Sequence, residues 1–517
     1  MPSNLDENLY KKKLTSDVFM LVQRFIQKGD TYMSTKQAKQ VELIGQHAVV
    51  IGASMAGLLA GRVLSDHFEH VTIIERDRLP EQVESRRGVP QGQHAHILLM
   101  KGETILRELF PALYETFARK GAVPLTSADM QWYDFGVWKA PAPDPIKSYC
   151  GSRPFLEQCV RHFVAARANV HFIDGCEVKR IYSNEDHTRV KGVSLVYHSP
   201  ERHEENLAAD LVVDASGRGS RAPQWLMSLG YDRVEETSVK VEVGYATRIY
   251  RRPINLPLDW KLLIVYPNPP REKRSGLVFP IENDCWMVSL AGRLHDNPPA
   301  DEEGYLEFAR SLPDPSLYDA IKEAEPLTPI VTYKYAMNRW RHYERMTRLP
   351  AGFVILGDAV CTINPVYGQG MSVAAIEARV LDVCLRDQQR QGTGNDLVGF
   401  PQRFQKEIVK AVMVPWMLAT GEDFRYPETE GKRPLGMNLL HWYTRRVNEL
   451  TATNPMVAGL FYQVLHLLKP PRVLFSPHVV WAVLTKGLAS HRQRPVASLQ
   501  IDKASSTPTR PKDAVAR

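Results

Sequence analysis

The stretch His47-Ala-Val-Val-Ile-Gly-Ala-Ser-Met-Ala-Gly57 decides the fold of this 517-residue chain. It begins with an unbroken apolar run, which is typical of a buried parallel strand. Apolar residues then recur at helical spacing from Met55 to Val63, and a second apolar run ends on Glu75. The pattern predicts a strand–turn–helix–strand unit with glycines in the turn and an acidic residue about 20 positions later.

The residue types in this turn suit a dinucleotide. Gly52 permits the tight turn, and Gly57 lets the helix approach the sheet. The helix N-terminus offers free N–H groups to a pyrophosphate, and Glu75 can accept hydrogen bonds from the adenosine ribose. Ser54 stands where the middle glycine belongs, but its side chain is small enough for a phosphate to approach. Taken alone, the pattern also fits an ordinary tight turn in another α/β fold.

The second motif is Asp214-Ala-Ser-Gly217-Arg-Gly-Ser220, which follows another apolar run, residues 209–213. Two alternating stretches, 177–182 and 190–197, precede it and predict a hairpin around a polar turn. Polar and glycine residues at the carboxyl end of a parallel strand lie where α/β sheets bind ligands. Asp214 and Gly217 are therefore candidate ligand contacts.

The third motif is Gly357-Asp358, which follows the apolar run of residues 353–356. Asn364-Pro365 and Gly368-Gln-Gly370 come next in the chain. Asp358 is placed to bind hydroxyls of a ribityl chain. Residues 368–371 open a predicted helix, whose N-terminus would supply positive potential to the pyrimidine ring of a reduced, anionic flavin. The order and spacing of the three motifs together predict an FAD site.

These motifs resemble those of the FAD-dependent monooxygenases of the aromatic-hydroxylase type, over residues 45–400. The segment from Arg86 to His96 is similar to the flavin-contacting segment of a narrower group that includes bacterial polyene epoxidases from polyether antibiotic biosynthesis. The resemblance implies an α/β fold: a Rossmann-like FAD-binding domain of the GR2 type with a parallel sheet, an inserted antiparallel β-sheet substrate domain and a helical C-terminal region.

The motifs and the resemblance together give a set of candidate flavin contacts. By resemblance, Arg87 and Gln91 pass near the isoalloxazine or ribityl chain, and Arg153 lies near the FAD phosphates. No protein residue is assigned as catalytic, because the chemistry is the flavin's; the loop Pro365, Gly368, Gln369, Gly370 and Met371 is expected near the isoalloxazine. The candidate cofactor-binding residues are Gly52, Ser54, Ala56, Gly57, Glu75, Arg76, Arg87, Gln91, Arg153, Asp214, Gly217, Gly357, Asp358, Pro365, Gly368, Gly370 and Met371.

The activity that the resemblance implies is insertion of one oxygen atom from O2 into a hydrophobic biosynthetic intermediate, such as a polyketide or terpenoid, through a C4a-hydroperoxyflavin. The insertion is an epoxidation or a hydroxylation. NADPH or NADH is the expected electron donor, directly or through a separate flavin reductase. Hydroxylases usually carry an aspartate–glycine pair in the second motif, whereas Ala215 and Ser216 separate Asp214 from Gly217 here.

Two other functions fit the same motifs: a flavin-dependent reductase of isoprenoid double bonds and a non-catalytic flavin-binding protein. Oxygen uptake with an oxygenated product separates the first from a monooxygenase, and lack of turnover would favour the second. A flavin halogenase is disfavoured because the chain has no W-x-W-x-I-P segment.

Composition favours a soluble, globular protein. Hydrophobic residues make up 44% and charged residues 24%, which is typical of globular proteins. No apolar run approaches the roughly 20 residues that span a bilayer, and no nucleic-acid motif accompanies the net charge of +7. None of the six cysteines forms a C-x-x-C pair, so neither a metal site nor a disulfide framework is indicated. A cytoplasmic location is expected.

The predicted organisation places a substrate pocket on the inserted sheet. His94 and His96 fit either a contact to flavin or substrate, or a structural role. Candidate pocket-wall residues, most of them expected in the core instead, are Tyr245, Tyr250, Phe279, Trp286, Tyr333 and Trp340. The predicted units are an N-terminal extension (1–44) with an amphipathic stretch (18–26), a FAD-binding domain in two parts (45–230 and 341–400), an inserted substrate-binding sheet (231–340), a C-terminal helical region (401–493) and a disordered tail (494–517).

Overall fold

The computed structural model describes residues 43–141, 147–198, 203–253, 256, 258–392 and 396–486. The predicted tail and all but the last two residues of the predicted N-terminal extension, including the stretch 18–26, lie outside these residues. The strands are β1 (Gly45–Ile51), β2 (Phe68–Glu75), β3 (Val123–Thr126), β4 (Met130–Asp134), β5 (Val137–Trp138), β6 (Lys147–Cys150), β7 (Val170–Asp174), β8 (Cys176–Ser183), β9 (Val190–Tyr197), β10 (Glu204–Ala208), β11 (Leu211–Asp214), β12 (Glu236–Arg251), β13 (Leu262–Val265), β14 (Arg274–Ile281), β15 (Cys285–Arg293), β16 (Val331–Arg341), β17 (Phe353–Ile355) and β18 (Cys361–Thr362).

Helices lie between groups of strands up to β18, and only helices follow β18 among the described residues. They are α1 (Met55–Leu64), α2 (Met100–Leu109), α3 (Leu113–Arg119), α4 (Arg153–Ala165), α5 (Ala222–Ser228), α6 (Glu302–Arg310), α7 (Ser316–Ile321), α8 (Gly370–Arg390), α9 (Phe400–Asp423), α10 (Met437–Leu450), α11 (Pro455–Leu465) and α12 (Pro477–Lys486). No helix among the described residues is long and apolar enough to cross a membrane.

A five-stranded parallel sheet, ordered β17-β11-β1-β2-β7, forms the centre of the fold. Its three central strands β11, β1 and β2 are mainly apolar and buried, as parallel strands between helix layers must be, whereas the edge strand β7 is only partly buried. Gly57 lets α1 lie against this sheet, since a Cβ there would come within 1.8 Å of the Gly52 carbonyl oxygen. The mixed α/β fold predicted from the three motifs is confirmed, and each motif begins at the carboxyl end of β1, β11 or β17.

An eight-stranded sheet, ordered β18-β16-β12-β15-β14-β13-β4-β5, supplies the second layer. The inserted antiparallel sheet predicted for residues 231–340 is present as β12 to β16, but three further strands join it from outside that range. β4 pairs in parallel with β13, with Met130 beside Leu262, β5 pairs with β4, and β18 pairs with β16. The extra pairings arise because the free edges of β13 and β16 accept segments that are distant in sequence. The local hydrophobic pattern of the sequence does not predict these pairings.

Smaller units complete the fold. β8, β9 and β10 form an antiparallel sheet that contains the predicted hairpin. The predicted helical region is present as α9 to α12, and α10, α11 and α12 share a separate apolar core centred on Val447, Val457 and Val479.

Candidate flavin and substrate site

A groove of about 450 Å³ runs past the carboxyl ends of β1, β11 and β17. Its lining brings together residues that the sequence placed in three separate motifs. The predicted contacts that line it are Gly52, Ser54, Ala56, Glu75, Arg76, Gln91, Arg153, Gly217, Gly357, Asp358, Pro365, Gly368, Gln369, Gly370 and Met371.

Three predicted contacts do not line the groove. Gly57 serves the close packing of α1 against the turn at Gly52. Asp214 is fully buried and accepts hydrogen bonds from the Ser216 amide (2.9 Å) and the Ser220 hydroxyl (2.6 Å), so it shapes the turn behind the groove. Arg87 is exposed to solvent.

Arg86 also belongs to the groove, although the sequence did not single it out. It lines the groove and pairs with Glu75 and Glu157, each at 2.9 Å, while its side chain is 7% exposed. Glu75 also accepts the Ala53 amide at 2.9 Å, so its carboxylate is fixed at the end of β2. Nothing local distinguishes two adjacent arginines. The acidic partners that select Arg86 come from β2 and α4.

Ser54, at the middle-glycine position, joins the first motif to α4. Its hydroxyl accepts a hydrogen bond from Arg153 Nη2 at 2.7 Å and donates to Glu157 Oε2 at 3.0 Å. That geometry leaves the N-terminus of α1 without a side-chain cap, so its N–H groups remain available to an anion. Arg153 Nε is also buried without a hydrogen-bond partner among the described residues. The donor set here suits a pyrophosphate.

Asp358 presents a carboxylate with no hydrogen bond or ion pair among the described residues. Burial raises its pKa, while the charges of Arg218 and Arg153 oppose that shift. The preceding Gly357 has φ +68° and donates its N–H to Glu377 Oε2 at 2.5 Å, which fixes the turn. An unsatisfied acceptor at the groove suits the hydroxyls of a ribityl chain.

The loop before α8 is held from behind by a buried aspartate. Asp423, at the end of α9 and fully buried, accepts hydrogen bonds from Arg293 (2.8 Å), Asn364 (3.0 Å), Tyr367 (2.7 Å) and Asn338 (2.7 Å). Because Asn364 and Tyr367 belong to the loop, α9 sets the position of the loop. Sequence reasoning missed this role because the network draws on α9, β15 and β16.

The loop itself leaves room on the groove side. Gly368 has φ +65°, a left-handed conformation that favours glycine. α8 begins at Gly370 without a side-chain cap, and a Cβ on Gly370 would meet no atom within 4 Å. Open space ahead of a free helix N-terminus suits a planar, electron-rich ring.

A second cavity, about 60 Å³, lies between the segment 91–96, the eight-stranded sheet and the loop at Pro365. Of the six predicted wall aromatics, Tyr245 and Tyr333 line it, whereas Tyr250, Phe279, Trp286 and Trp340 are packed in apolar cores. Tyr266 also lines it and was not predicted. The residues shared by the walls of cavity and groove are Gln91, Ala95, His96, Tyr333 and Pro365.

Both histidines of the segment 91–96 face this junction. His94 lines the cavity with Nδ1 2.7 Å from Thr247 Oγ1, and burial lowers the pKa of His94 to about 4. His96 donates from Nδ1 to the His94 carbonyl oxygen at 2.9 Å, and burial lowers the pKa of His96 to about 3. Both imidazoles are therefore neutral near pH 7.

No family model matches the sequence. Three curated proteins do, and two of them are described here. Protein Rv3254 of Mycobacterium tuberculosis is 33% identical over 72% of this chain and 79% of its own length. The kynurenine 3-monooxygenase of Salinispora arenicola is 26% identical over 66% of this chain and 72% of its own length. This chain belongs to the FAD-dependent monooxygenases of the aromatic-hydroxylase type. FAD is the cofactor of this family and O2 its oxidant.

A solved structure of the flavin-dependent brominase Bmp2 shares the fold of this monooxygenase. Its TM-score is 0.57 at 14% identity, over 82% of this chain and 93% of the brominase. At that identity the likeness concerns the fold alone. It supports the mixed α/β fold described above, with one parallel sheet and one larger, mainly antiparallel sheet.

Proposed function

We propose that this monooxygenase inserts one oxygen atom from O2 into a hydrophobic biosynthetic intermediate, by epoxidation or hydroxylation. The observation that carries the proposal is the aromatic cavity that shares a wall with the flavin groove at Pro365 and His96. A polyketide or terpenoid intermediate suits a wall of tyrosines. The cavity is small, so an extended substrate would place only its reacting part there.

The residues of this chain divide the binding of FAD between them. The uncapped N-terminus of α1 and Arg153 would hold the phosphates, Glu75 the adenosine ribose and Asp358 the ribityl hydroxyls. The loop 365–371 would carry the isoalloxazine, with the N-terminus of α8 supplying positive potential. FAD, when bound, supplies the activation of O2 and the oxygen-transfer chemistry.

The protein's own contribution to the reaction is orientation and exclusion of water. Tyr245 on β12 and Tyr266, just after β13, line the cavity. Both donate their hydroxyl hydrogen to the loop: Tyr245 to Asn364 (3.0 Å) and Tyr266 to the Val366 carbonyl (2.8 Å). These bonds tie the substrate wall to the flavin loop, so that substrate and cofactor positions are set by one rigid unit.

NADPH or NADH is the proposed source of electrons, directly or through a separate flavin reductase. The second motif supports the indirect route, because Asp214 is committed to Ser216 and Ser220 rather than open to a nucleotide. Stopped-flow reduction of the purified holoenzyme by NADPH and NADH, with and without an added flavin reductase, separates the two routes.

The proposed activity is tested by mass spectrometry of metabolites from a strain grown under 18O2 with and without this protein. We expect a compound that gains one labelled oxygen atom only when the protein is present. Asp358→Ala should lower the yield of this product, while Asp396→Ala, on the surface beside Arg189, should not. A product that gains two hydrogens instead would identify an isoprenoid-type reductase. Absence of any product, together with no turnover of the purified protein with any reductant, would leave a flavin-binding protein without catalysis.

A further inference from the structure

Helix α10 carries large apolar side chains on two different sides. Tyr443, Val447 and Leu450 pack into the core that α10 shares with α11 and α12. Leu439 and Trp442 lie on another side of the same helix, and they are 70% and 45% exposed. A helix that only packs against its own protein presents polar residues to water, so this second apolar side needs another explanation.

Helix α12 repeats the arrangement. Val479, Ala482 and Val483 are buried in the same core, whereas Trp481 and Leu484 are 69% and 65% exposed. Single exposed apolar residues are common on protein surfaces, but two helices that share a core and both expose leucine and tryptophan are typical of an interaction surface.

The exposed tryptophans point to a boundary between an apolar phase and water. All nine tryptophans of the chain lie among the described residues, and seven of them are buried or half-buried. The two exposed ones are Trp442 and Trp481, one on each of the two helices. Indole combines an apolar body with an N–H donor, which is why tryptophan is enriched where a membrane meets water.

The positive charge of the chain is concentrated in the same region. Residues 431–517 contain 13 lysines and arginines against three aspartates and glutamates, whereas residues 1–430 contain 52 against 55. The net charge of +7 therefore comes from the C-terminal part of the chain. Lys432, Lys469 and Arg472 are exposed there and make no ion pair with another described residue. Such a charge asymmetry is typical of proteins that bind a polyanionic surface.

We infer that α10 and α12 form a membrane-docking face, defined by Leu439, Trp442, Trp481 and Leu484, which enters the headgroup region of a bilayer that contains anionic lipids. The basic residues of the C-terminal part lie against the lipid phosphates. Nucleic acid fits the charge but offers no apolar phase for the leucines. Because no described helix is long and apolar enough to cross a membrane, the docking face lies on the bilayer surface. The inference goes beyond the proposed function, since it concerns where the enzyme binds and not what it oxidises.

The first test is co-sedimentation of the full-length, FAD-loaded enzyme with sucrose-loaded vesicles. One set contains phosphatidylcholine alone, and the other contains three parts phosphatidylcholine to one part phosphatidylglycerol. We expect binding to the anionic vesicles to be at least about tenfold tighter, and to weaken as NaCl rises from about 0.1 M to about 0.5 M. Equal affinity for the two sets, or binding to neither, would overturn the inference.

A pair of double variants separates the docking face from net charge. Leu439→Asp combined with Trp481→Asp should bind the anionic vesicles at least about tenfold more weakly. Met227→Asp combined with Val398→Asp removes two apolar side chains of similar exposure outside the C-terminal part and adds the same charge, so it should bind as the wild type does. FAD content and thermal unfolding confirm that all proteins are folded. Equal weakening in the two double variants would mean that charge alone drives binding, and the docking face would be wrong.

Insertion of the face is measured by quenching of tryptophan fluorescence with vesicles whose phosphatidylcholine carries bromine on the acyl chains. Trp481→Phe should still bind, because phenylalanine is apolar, but it should lose part of the quenching. Trp138→Phe, at a half-buried tryptophan on β5, should keep all of it. Vesicle binding without any quenching of the wild type would show that the leucines and tryptophans do not enter the bilayer.

Sedimentation velocity without vesicles tests a second copy of this chain as the occupant. A wild-type dimer that becomes a monomer in Leu439→Asp combined with Trp481→Asp, together with no binding to vesicles, would assign the face to self-association and overturn the inference. All of these measurements are made without substrate, so their failure leaves the proposed oxygen transfer untouched, and failure of 18O incorporation leaves the docking face untouched.

Discussion

Arg153 Nη2 donates a hydrogen bond of 2.7 Å to Ser54 Oγ, and both residues contact Glu157 Oε2 at 3.0 Å. The three side chains connect the first turn of α1 to the first turn of α4. A glycine at position 54 could make no such bond. The serine therefore does more than tolerate a phosphate, because it orients the arginine that the family resemblance places beside the phosphates.

Ser54→Gly should weaken FAD binding although it restores the usual glycine. The substitution removes the acceptor of Arg153 and one partner of Glu157, and one lost hydrogen bond to a charged group corresponds to about a tenfold loss of affinity. Fluorescence titration of the apoprotein with FAD measures it. Ser476→Gly, at a turn outside the groove, is the control. FAD affinity equal to or above that of the wild type would show that Ser54 does not serve the site.

Asp358→Ala should lower FAD affinity by about tenfold or more, because the hydroxyls it binds would lose a charged acceptor in a partly buried site. The same fluorescence titration applies. Asp396→Ala serves as the matched control, since Asp396 is an aspartate paired with Arg189 at 2.9 Å on the surface. Indistinguishable affinities for the two variants would remove Asp358 from the site.

The fold could be predicted from sequence where local backbone requirements are strict. β1, β11 and β17 are apolar runs that end in glycine and aspartate motifs, and each appears within a few residues of its predicted position. The pairing of β4 with β13 joins Met130 to Leu262 and leaves no local trace. Periodicity specifies which face of a strand is buried, but it does not specify which distant edge the strand joins.

The same distinction holds at the site. Residues whose role comes from their own backbone, such as Gly52 and Gly368, could be selected from the sequence. Asp423 could not, because its importance comes from four donors on other segments. The flavin contacts themselves stay predictions. The groove brings most of them together, and its lining includes Arg86 but not Arg87.

Gly370→Val should uncouple oxygen use from product formation. A Cβ at Gly370 points into open space ahead of α8, so a valine side chain would enter the groove where the isoalloxazine is expected. The reduced variant, mixed with O2 and a confirmed substrate, should release a larger share of its electrons as hydrogen peroxide. Gly421→Val in α9, which also meets no atom within 4 Å, should not. Unchanged coupling in Gly370→Val would mean that the loop does not line the reactive face.

Asp423→Asn should loosen the flavin loop and lower stability together. The substitution leaves Arg293 buried without its carboxylate, and breaking a buried pair commonly costs about 3–5 kcal/mol. Chemical denaturation measures the free energy of unfolding. At a temperature where the variant remains folded, peroxide release should exceed that of the wild type, because the single oxygen of asparagine cannot accept from Arg293, Asn338, Asn364 and Tyr367 together. A destabilised variant with wild-type coupling would show that the network supports the fold and not the loop.

Glu377→Gln should make stability less dependent on pH. Glu377 on α8 is fully buried, and burial, with a smaller contribution from the charge of Asp358, raises its pKa from 4.5 to about 8. Between those values the folded protein binds more protons than the unfolded chain, so stability falls as pH rises from 4.5 to about 8 and levels above it. Glutamine mimics the protonated acid and keeps an oxygen for the Gly357 N–H.

The Tm difference between the Glu377→Gln variant and the wild type should therefore grow as pH rises across this range, as followed by thermal unfolding of the FAD-loaded proteins. Glu407→Gln, at a half-buried glutamate paired with Lys410, should show no such growth. Parallel Tm curves for Glu377→Gln and the wild type would mean that Glu377 is ionised throughout, with its charge stabilised by the turn at Gly357.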